Sequence, residues 1–302
     1  MGKNKKIIIA ICVVFVIAIV AAVVLLYSKK KDGYRLLKVF EVEGTANVNR
    51  DGTGDIEPYA NMVLESGDTV SLTKGTFTIK ADEDKYIYLE DGTELKLNAT
   101  GTSENSKTTI DLVAGAITND IQNKLSSESS YEVNTPNSTM SVRGTIYRVE
   151  VFEKDGVKYT KVSVFNGEVV TKLIYADGTI SDEEVSVEEG KEVLIYDDGK
   201  TVDYVSEPKD IDYSQLPETV LKKLLDYINK DDRDVSGDDK EIEKILYGPF
   251  EVTFSHNGTV FGTQTVEKGS CAQMPSLQPS ESGSWDYDFS QPVYGDLTIE
   301  WK

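Results

Sequence analysis

The sequence predicts a mainly β protein: an N-terminal transmembrane helix, a β-sandwich, barrel or β-roll body, a short helical acidic linker and a small β-rich C-terminal module. Three observations carry this expectation. Residues 7–27 (IIIAICVVFVIAIVAAVVLLY) form an unbroken apolar run. Turn dipeptides punctuate short alternating segments through residues 37–205 at the spacing of strands. The 52 Asp and Glu outweigh the 32 Lys and Arg, for a net charge of −20, yet these charges are interspersed with Val, Ile, Tyr and Phe as in a folded body.

The apolar run comes first. At 1.5 Å per residue it spans about 31 Å, which matches a hydrocarbon core of roughly 30 Å. A secretory signal has a shorter apolar region and a small-residue cleavage site, whereas here Tyr27-Ser28-Lys29-Lys30-Lys31 follows. The run therefore reads as an uncleaved, single-pass anchor in a bacterial cell membrane. Cys12 follows Ile11, not a small residue, and reads as a membrane-facing side chain instead of a lipidation site. Lys3, Lys5 and Lys6 before the run balance Lys29, Lys30 and Lys31 after it, so flanking charge gives little direction. The short residues 1–6 are expected inside as a cytoplasmic tail, with the body outside the cytoplasm, because long domains translocate regardless of flanking charge.

Residues 1–35 hold seven Lys and Arg against Asp32, a balance of +6, so the remainder carries −20 − 6 = −26. A body this acidic repels a phosphate backbone, which excludes nucleic-acid binding. Two Cys, Cys12 and Cys271, give no disulfide framework, and a single His, His256, removes most hydrolytic and metal-centred chemistry.

Residues 37–205 read as successive strands. Asp91-Gly92, Asp155-Gly156, Asn166-Gly167, Asp177-Gly178 and Asp198-Gly199 each suit a tight two-residue hairpin. Between them, segments such as Glu94-Leu95-Lys96-Leu97 and Lys161-Val162-Ser163-Val164 alternate polar and apolar residues, as in sheets with one buried face. Residues 116–125 are the one helix candidate.

Glu132-Val133-Asn134-Thr135-Pro136 runs into Val142-Arg143-Gly144-Thr145-Ile146-Tyr147-Arg148-Val149, and this resembles the FecR-domain signature, V-x-T-P followed by V-R-G-T-x-F-x-V. Other motifs are similar to the family's in order: Leu64-Glu65-Ser66-Gly67-Asp68-Thr69-Val70, Leu89-Glu90-Asp91-Gly92-Thr93, Ile110-Asp111-Leu112-Val113-Ala114-Gly115, and Val162-Ser163-Val164-Phe165-Asn166-Gly167-Glu168-Val169. The resemblance covers residues 37–170 and implies a FecR-like β domain that senses a signal or contacts a protein outside the cytoplasm. Read as residues alone, Pro136 ends one strand by restricting Thr135 to extended geometry. Gly144 permits a backbone angle or close approach that a side chain would block. Arg143 has two readings: a ligand-binding cation, or the partner of a neighbouring carboxylate. In the family, a cytoplasmic N-terminal segment controls a sigma factor. Here residues 1–6 are too few to grip one, so direct sigma control is not expected.

Residues 208–247 change character. Ser214 is expected to cap a helix with Pro217 in its first turn and Leu216, Val220, Leu221, Leu224, Leu225 and Ile228 as its apolar stripe. A second helix contains residues 241–246. The acidic loop between them has two readings. As a twelve-residue EF-hand-like calcium loop, it offers Asp232, Asp234, Ser236 and Asp238 at positions 1, 3, 5 and 7, Gly237 at the sharp turn and Glu243 at position 12. As a solvated hinge, it needs no ion, and Lys240 at position 9 favours that reading. Calcium is the one cofactor the sequence suggests.

Residues 248–302 alternate through Phe250-Glu251-Val252-Thr253-Phe254, turn at Asn257-Gly258 and close with Trp285-Asp286-Tyr287-Asp288-Phe289 and Leu297-Thr298-Ile299-Glu300-Trp301. This march resembles the internalin B-repeat (Listeria–Bacteroides repeat), which implies a β-grasp-like module of bacterial surface proteins without catalytic residues. Trp285, Phe289 and Trp301 are expected in its core, because a module this small needs large apolar anchors. His256 is expected to be exposed in a turn, and Cys271 a partly buried thiol.

No nucleophile has a base beside it, so an enzyme is not expected. The functional expectation is a membrane-anchored extracytoplasmic protein that binds or senses an envelope protein or wall polymer. The alternative is an accessory regulator in FecR-type signalling that acts through a separate membrane partner.

Overall fold

The computed structural model describes residues 35–102, 105–142, 144–196, 205–230 and 233–302. The expected anchor and cytoplasmic tail, Arg143, Asp198-Gly199 and Asp232 lie outside them. No helix among the described residues is long and apolar enough to cross a membrane. The chain divides into two compact units. The first comprises residues up to Val162, Gly167–Val187 and Val193–Ser206; the second comprises Ser163–Asn166, Glu188–Glu192 and Glu207–Lys302.

The first unit is built from β1 (Leu37–Arg50), β2 (Gly54–Ile56), β3 (Thr69–Ala81), β4 (Lys85–Leu89), β5 (Thr93–Gly101), β6 (Ser106–Ile121), β7 (Ser130–Thr135), β8 (Ser138–Val142) and β9 (Ile146–Lys154). Then follow β10 (Val157–Asn166), β11 (Glu168–Leu173), β12 (Val185–Glu188) and β13 (Lys191–Tyr196). One strand path runs β12-β11-β8-β7-β6-β4-β3-β1-β2, with β5 bridging β3 and β6, and β9 leading from β6 to β10.

β1, β3 and β6 are far longer than the five or six residues usual for a strand; β1 stays beside β3 along its length, while β3 and β6 change partners part-way. Up to Ala114, β6 pairs with β5 and β7; from Gly115 it pairs with β9, and from Ile117 with β4. The change happens at a glycine seam. Gly44 lies opposite Gly75, both at positive φ (96° and 124°), and a Cβ on Gly75 would sit 2.0 Å from the Glu43 carbonyl oxygen. On β6, a Cβ on Gly115 would sit 2.5 Å from Thr93 Cα. Only glycine allows the strands to cross this closely.

The seam folds the sheet over. Tyr131 on β7 stands beside Thr108, eleven residues along β6 from Asn119, which is about 36 Å on a straight strand. Yet its hydroxyl donates to Asn119 Oδ1 at 2.7 Å. The two halves therefore face each other around a core that includes Phe77, Ile79, Ile87, Leu97, Ile110, Val133 and Tyr147. This folded-over arrangement agrees with the sandwich or roll predicted from the strand pattern.

Three local expectations are corrected. Residues 116–125 are not helical: Ile117, Asn119 and Ile121 point into the core at period two from β6, flanked by β4 and β9. Ala116, Thr118 and Asp120 are buried on the opposite side, so the alternation that marks a strand is hidden. Asp91-Gly92 does not close a hairpin, because β4 and β5 run on in the same direction beside β3, at Phe77–Ala81 and Thr69–Leu72 respectively. The dipeptide is the seam's break in that strand. Asn166-Gly167 likewise turns a corner, because β11 leaves β10 to pair with β8. Asp155-Gly156 and Asp177-Gly178 do form tight turns.

In the second unit, β14 (Lys209–Asp210) pairs with Lys191 and Glu192, then a 3-10 turn (Tyr213–Gln215) leads to α1 (Glu218–Lys230) and α2 (Asp239–Tyr247). Ser214 is not the helix cap. Asp212 caps the 3-10 turn, and the Pro217 carbonyl accepts from Val220 and Leu221. Val220, Leu221, Leu224 and Leu225 form the buried stripe of α1, with Ile242 and Leu246 buried on α2. β15 (Phe250–His256) and β16 (Thr259–Val266) form a hairpin turned at Asn257-Gly258, and β17 (Leu297–Glu300) lies parallel to β15 on its other side. Trp285 stands edge-on to Phe254 at 5.3 Å and to Trp301 at 5.2 Å, with Phe289 packed on the same core. His256 is tucked in rather than exposed: its Nδ1 lies 3.1 Å from the Trp301 carbonyl. Cys271 is exposed.

Candidate functional site

Each sequence motif of the first unit has a definite structural role. Thr135-Pro136-Asn137 forms the tight turn from β7 to β8, with Thr135 opposite Ser138. Buried beneath it, the Thr160 hydroxyl lies 2.8 Å from Thr135 Oγ1 and 2.5 Å from Asn137 Oδ1. The Asn137 amide nitrogen donates to the Lys158 and Ile195 carbonyls at 3.0 and 3.1 Å. Thr135 is thus a structural side chain, and Pro136 holds the bend.

Gly144 and Thr145 meet the Asn166-Gly167 corner. Gly144 is at φ 92°, and a Cβ there would sit 3.1 Å from Lys124 Cα; a Cβ on Gly167 would sit 3.1 Å from the Gly144 carbonyl oxygen. Thr145, fully buried, donates from Oγ1 to the Glu168 carbonyl at 3.1 Å, and its own carbonyl accepts from Ile121 at 3.1 Å. Two motifs more than twenty residues apart therefore close on each other. They line a cleft of about 630 Å³ with Lys124, Ser141, Val142, Glu168 and Val170.

That cleft sits on a larger polar face. The register places Asn98, Thr109, Glu132, Ser141 and Val170 side by side across β5, β6, β7, β8 and β11. A parallel row runs Lys96, Asp111, Asn134, Thr139 and Lys172. Asn98 and Asn134 each donate to Asp111, at 3.0 and 2.9 Å, and Thr139 donates to Asn134 Oδ1 at 2.7 Å. The shorter row Thr100, Lys107 and Ser130 borders a second cleft of about 590 Å³ that Ser127, Glu128 and Ser129 complete. The residues between these, such as Leu97, Ile110, Val133 and Met140, point into the core. Only Val170 in these rows is apolar. Lys96, Lys107, Lys124 and Lys172 stand against Asp111, Glu128, Glu132, Glu168 and Glu184, the last paired with Lys172 at 3.0 Å, so the face and its clefts differ by one charge from neutral.

Sequence reasoning missed the buried ion groups that stiffen this unit. Arg148, at 4 % side-chain exposure, makes paired bonds to Glu90 at 2.7 and 2.8 Å and one to Glu150 at 2.8 Å. Burial works to lower its pKa, but Glu90 and Glu150 outweigh that and hold the guanidinium above its ordinary value. Arg50 embraces the buried Asp68 at 2.7 and 2.8 Å. Arg35 places all its donor nitrogens on Asp82, Thr108 and the carbonyls of Thr100 and Lys107. Glu90 and Asp68 lie inside quoted motifs, yet a carboxylate in so acidic a chain carries no signal of its burial.

The described part of the acidic loop is anchored at Val235 and Ser236, while Asp234, Gly237 and Asp238 stay exposed. Ser236 donates its N–H to the Phe165 carbonyl at 2.6 Å and accepts from the Tyr213 hydroxyl at 3.0 Å; Val235 is buried. Asp238 caps α2 by accepting from Glu241 N–H at 2.9 Å, and Glu243 lies on that helix. Among the described residues no group of three or more His, Cys, Asp or Glu is placed to hold a metal ion, with Asp234, Asp238 and Glu243 included in that set.

Residues 68–170 match the family described as FecR protein, about a third of the chain and the stretch that holds most of the polar face and the Gly144 side of its first cleft. No curated protein matches. Among solved structures, two crystal structures of a "putative anti-sigma factor" from Parabacteroides distasonis ATCC 8503 are similar. The first, at 2.50 Å resolution, has a TM-score of 0.39 and 11% identity, covering 77% of this chain and 97% of that one. The second, at 1.65 Å, has a TM-score of 0.35 and 11% identity, covering 79% and 96%.

Proposed function

We propose that this chain is a FecR-type signalling regulator whose ligand-reading part lies outside the cytoplasm. The observation that carries this reading is the FecR match itself, because the matched residues build the polar face and the Gly144 side of its cleft. Residues 7–27 anchor the chain in the bacterial membrane as a single pass with residues 1–6 inside. The output passes through a separate membrane partner, and an envelope protein or wall polymer supplies the input. Residues 248–302 serve as a surface module of the internalin B-repeat type, and the chain is not an enzyme. The polar, hydrogen-bonding character of the face supports recognition over catalysis, because among the described residues no side chain on it is paired as a nucleophile with a base.

The test is transcriptional. Deletion of the gene should change expression of a defined gene set, and the wild-type chain should restore it. A chain with residues 7–27 exchanged for an unrelated membrane helix should fail to restore it while still reaching the membrane. Full restoration by the exchanged chain would refute signalling through the anchor, and an unchanged transcript profile on deletion would refute the regulator reading.

A further inference from the structure

We propose that the polar face between the two clefts binds an extended, neutral, polyhydroxylated chain: a glycan strand. This inference rests on the reading of the face as ligand-binding, and it names the ligand class. Charge comes first. The body carries −26, yet the face holds four ammonium groups against five carboxylates once Glu184, the partner of Lys172, is counted, so it is nearly neutral in a strongly negative protein. An anionic polymer would be repelled on approach, and a cationic partner would find stronger attraction elsewhere on the surface.

Chemistry comes second. Protein partners dock around buried aromatic or aliphatic anchors, and the rows offer Val170 alone. They instead present amides, hydroxyls and carboxylates at regular intervals, the donors and acceptors that sugar hydroxyls match. Asp111 accepts one amide N–H on each carboxylate oxygen, from Asn98 and Asn134, which orients both amides. The Glu132 and Lys107 side chains line the second cleft beside Thr109 and Ser130, and among the described residues neither side chain makes an ion pair or hydrogen bond.

Shape comes third. The Asn98-to-Val170 row crosses five strands, about 19 Å at the usual strand spacing. It joins the two clefts at its two ends, since Asn98, Thr109 and Glu132 line one and Ser141 and Val170 line the other. A linear polymer would lie along such a row with several units engaged at once, which compensates for the small net gain of each hydrogen bond exchanged with water.

The experiment uses the full chain in detergent micelles on a printed array of neutral oligosaccharides, with polyglycerol phosphate as the anionic polymer. Binding to at least one class of neutral oligosaccharide is expected, with affinity rising with chain length. Glu132→Lys and Thr109→Asp, both on the solvent side of the sheet, should each lose at least tenfold while their thermal midpoints stay within a few degrees of wild type. An array without binding, binding that both variants retain, or preferential capture of polyglycerol phosphate would overturn the proposal. The array reads binding alone, so it fails independently of the transcriptional test.

Discussion

Arg148→Ala should destabilise the first unit by about 3 kcal/mol, the lower end of the range for breaking a buried ion pair by removing one partner. The lower end applies because Glu90 and Glu150 keep 17% and 34% of their side-chain surface in water and so retain some hydration. Without the guanidinium these two carboxylates face each other across β6, from its β4 and β9 sides, with Arg148's positive charge gone from between them. At 1.36 kcal/mol per tenfold, 3 kcal/mol is a rise of roughly 150-fold in the opening constant. Amide hydrogen exchange resolved along β9 and the second half of β6 is the assay, because a two-unit chain does not give a single unfolding free energy. Glu90→Gln, which keeps shape and one hydrogen bond, should cost less than Arg148→Ala. A loss below about 1 kcal/mol in Arg148→Ala, the level of an exposed pair, would refute the claim that this triad is a buried support of the sheet.

Gly115→Ala should lower the first unit's midpoint by several degrees, because the new Cβ would meet Thr93 Cα at 2.5 Å at a positive φ; a differential scan within 1 °C of wild type would contradict the seam. Burial pushes the Asp84 carboxyl up, but hydrogen bonds from Lys85 and Asn123 outweigh this and hold it below the usual carboxylate value. Its stabilisation is therefore present above the unfolded value of about 3.9 and is lost as pH falls through the lower folded value. Asp84→Asn should flatten the acid limb of the stability curve below about pH 4 and leave its slope at pH 6 to 8 unchanged, as read by urea midpoints. Trp285→Ala should cost the C-terminal strands about 3 to 5 kcal/mol, with exchange protection lost along β15 and retained in β7.

The strand-rich body was legible because apolar alternation survives wherever one face is wet, as in β5 and β7. It failed where both faces are buried: residues 116–121 carry Ile, Thr, Asn and Asp all beneath the surface, so no period stands out. The turn dipeptides revealed positive φ but not topology. Asn257-Gly258 and Asp91-Gly92 look alike, yet one closes a hairpin and the other breaks a strand at the seam. Gly144 was legible as a position of special backbone angle and close approach, since its φ is 92° and a Cβ there would sit 3.1 Å from Lys124 Cα, but the cleft it lines was not. The polar face was not visible, since only register brings Asn98, Thr109, Glu132 and Ser141 into line from four separate strands. The acidic loop shows the same limit, since spacing did not reveal that Asp238 caps α2.

Cys271 offers the most direct test of the claim that the body faces outward. It is exposed, and the chain's other cysteine, Cys12, lies inside the apolar run. Intact cells expressing the chain are treated with a membrane-impermeant maleimide, and labelling at Cys271 is read by mass spectrometry. Labelling equal in intact and lysed cells is the predicted result; a Cys271 that reacts only after lysis would contradict the account.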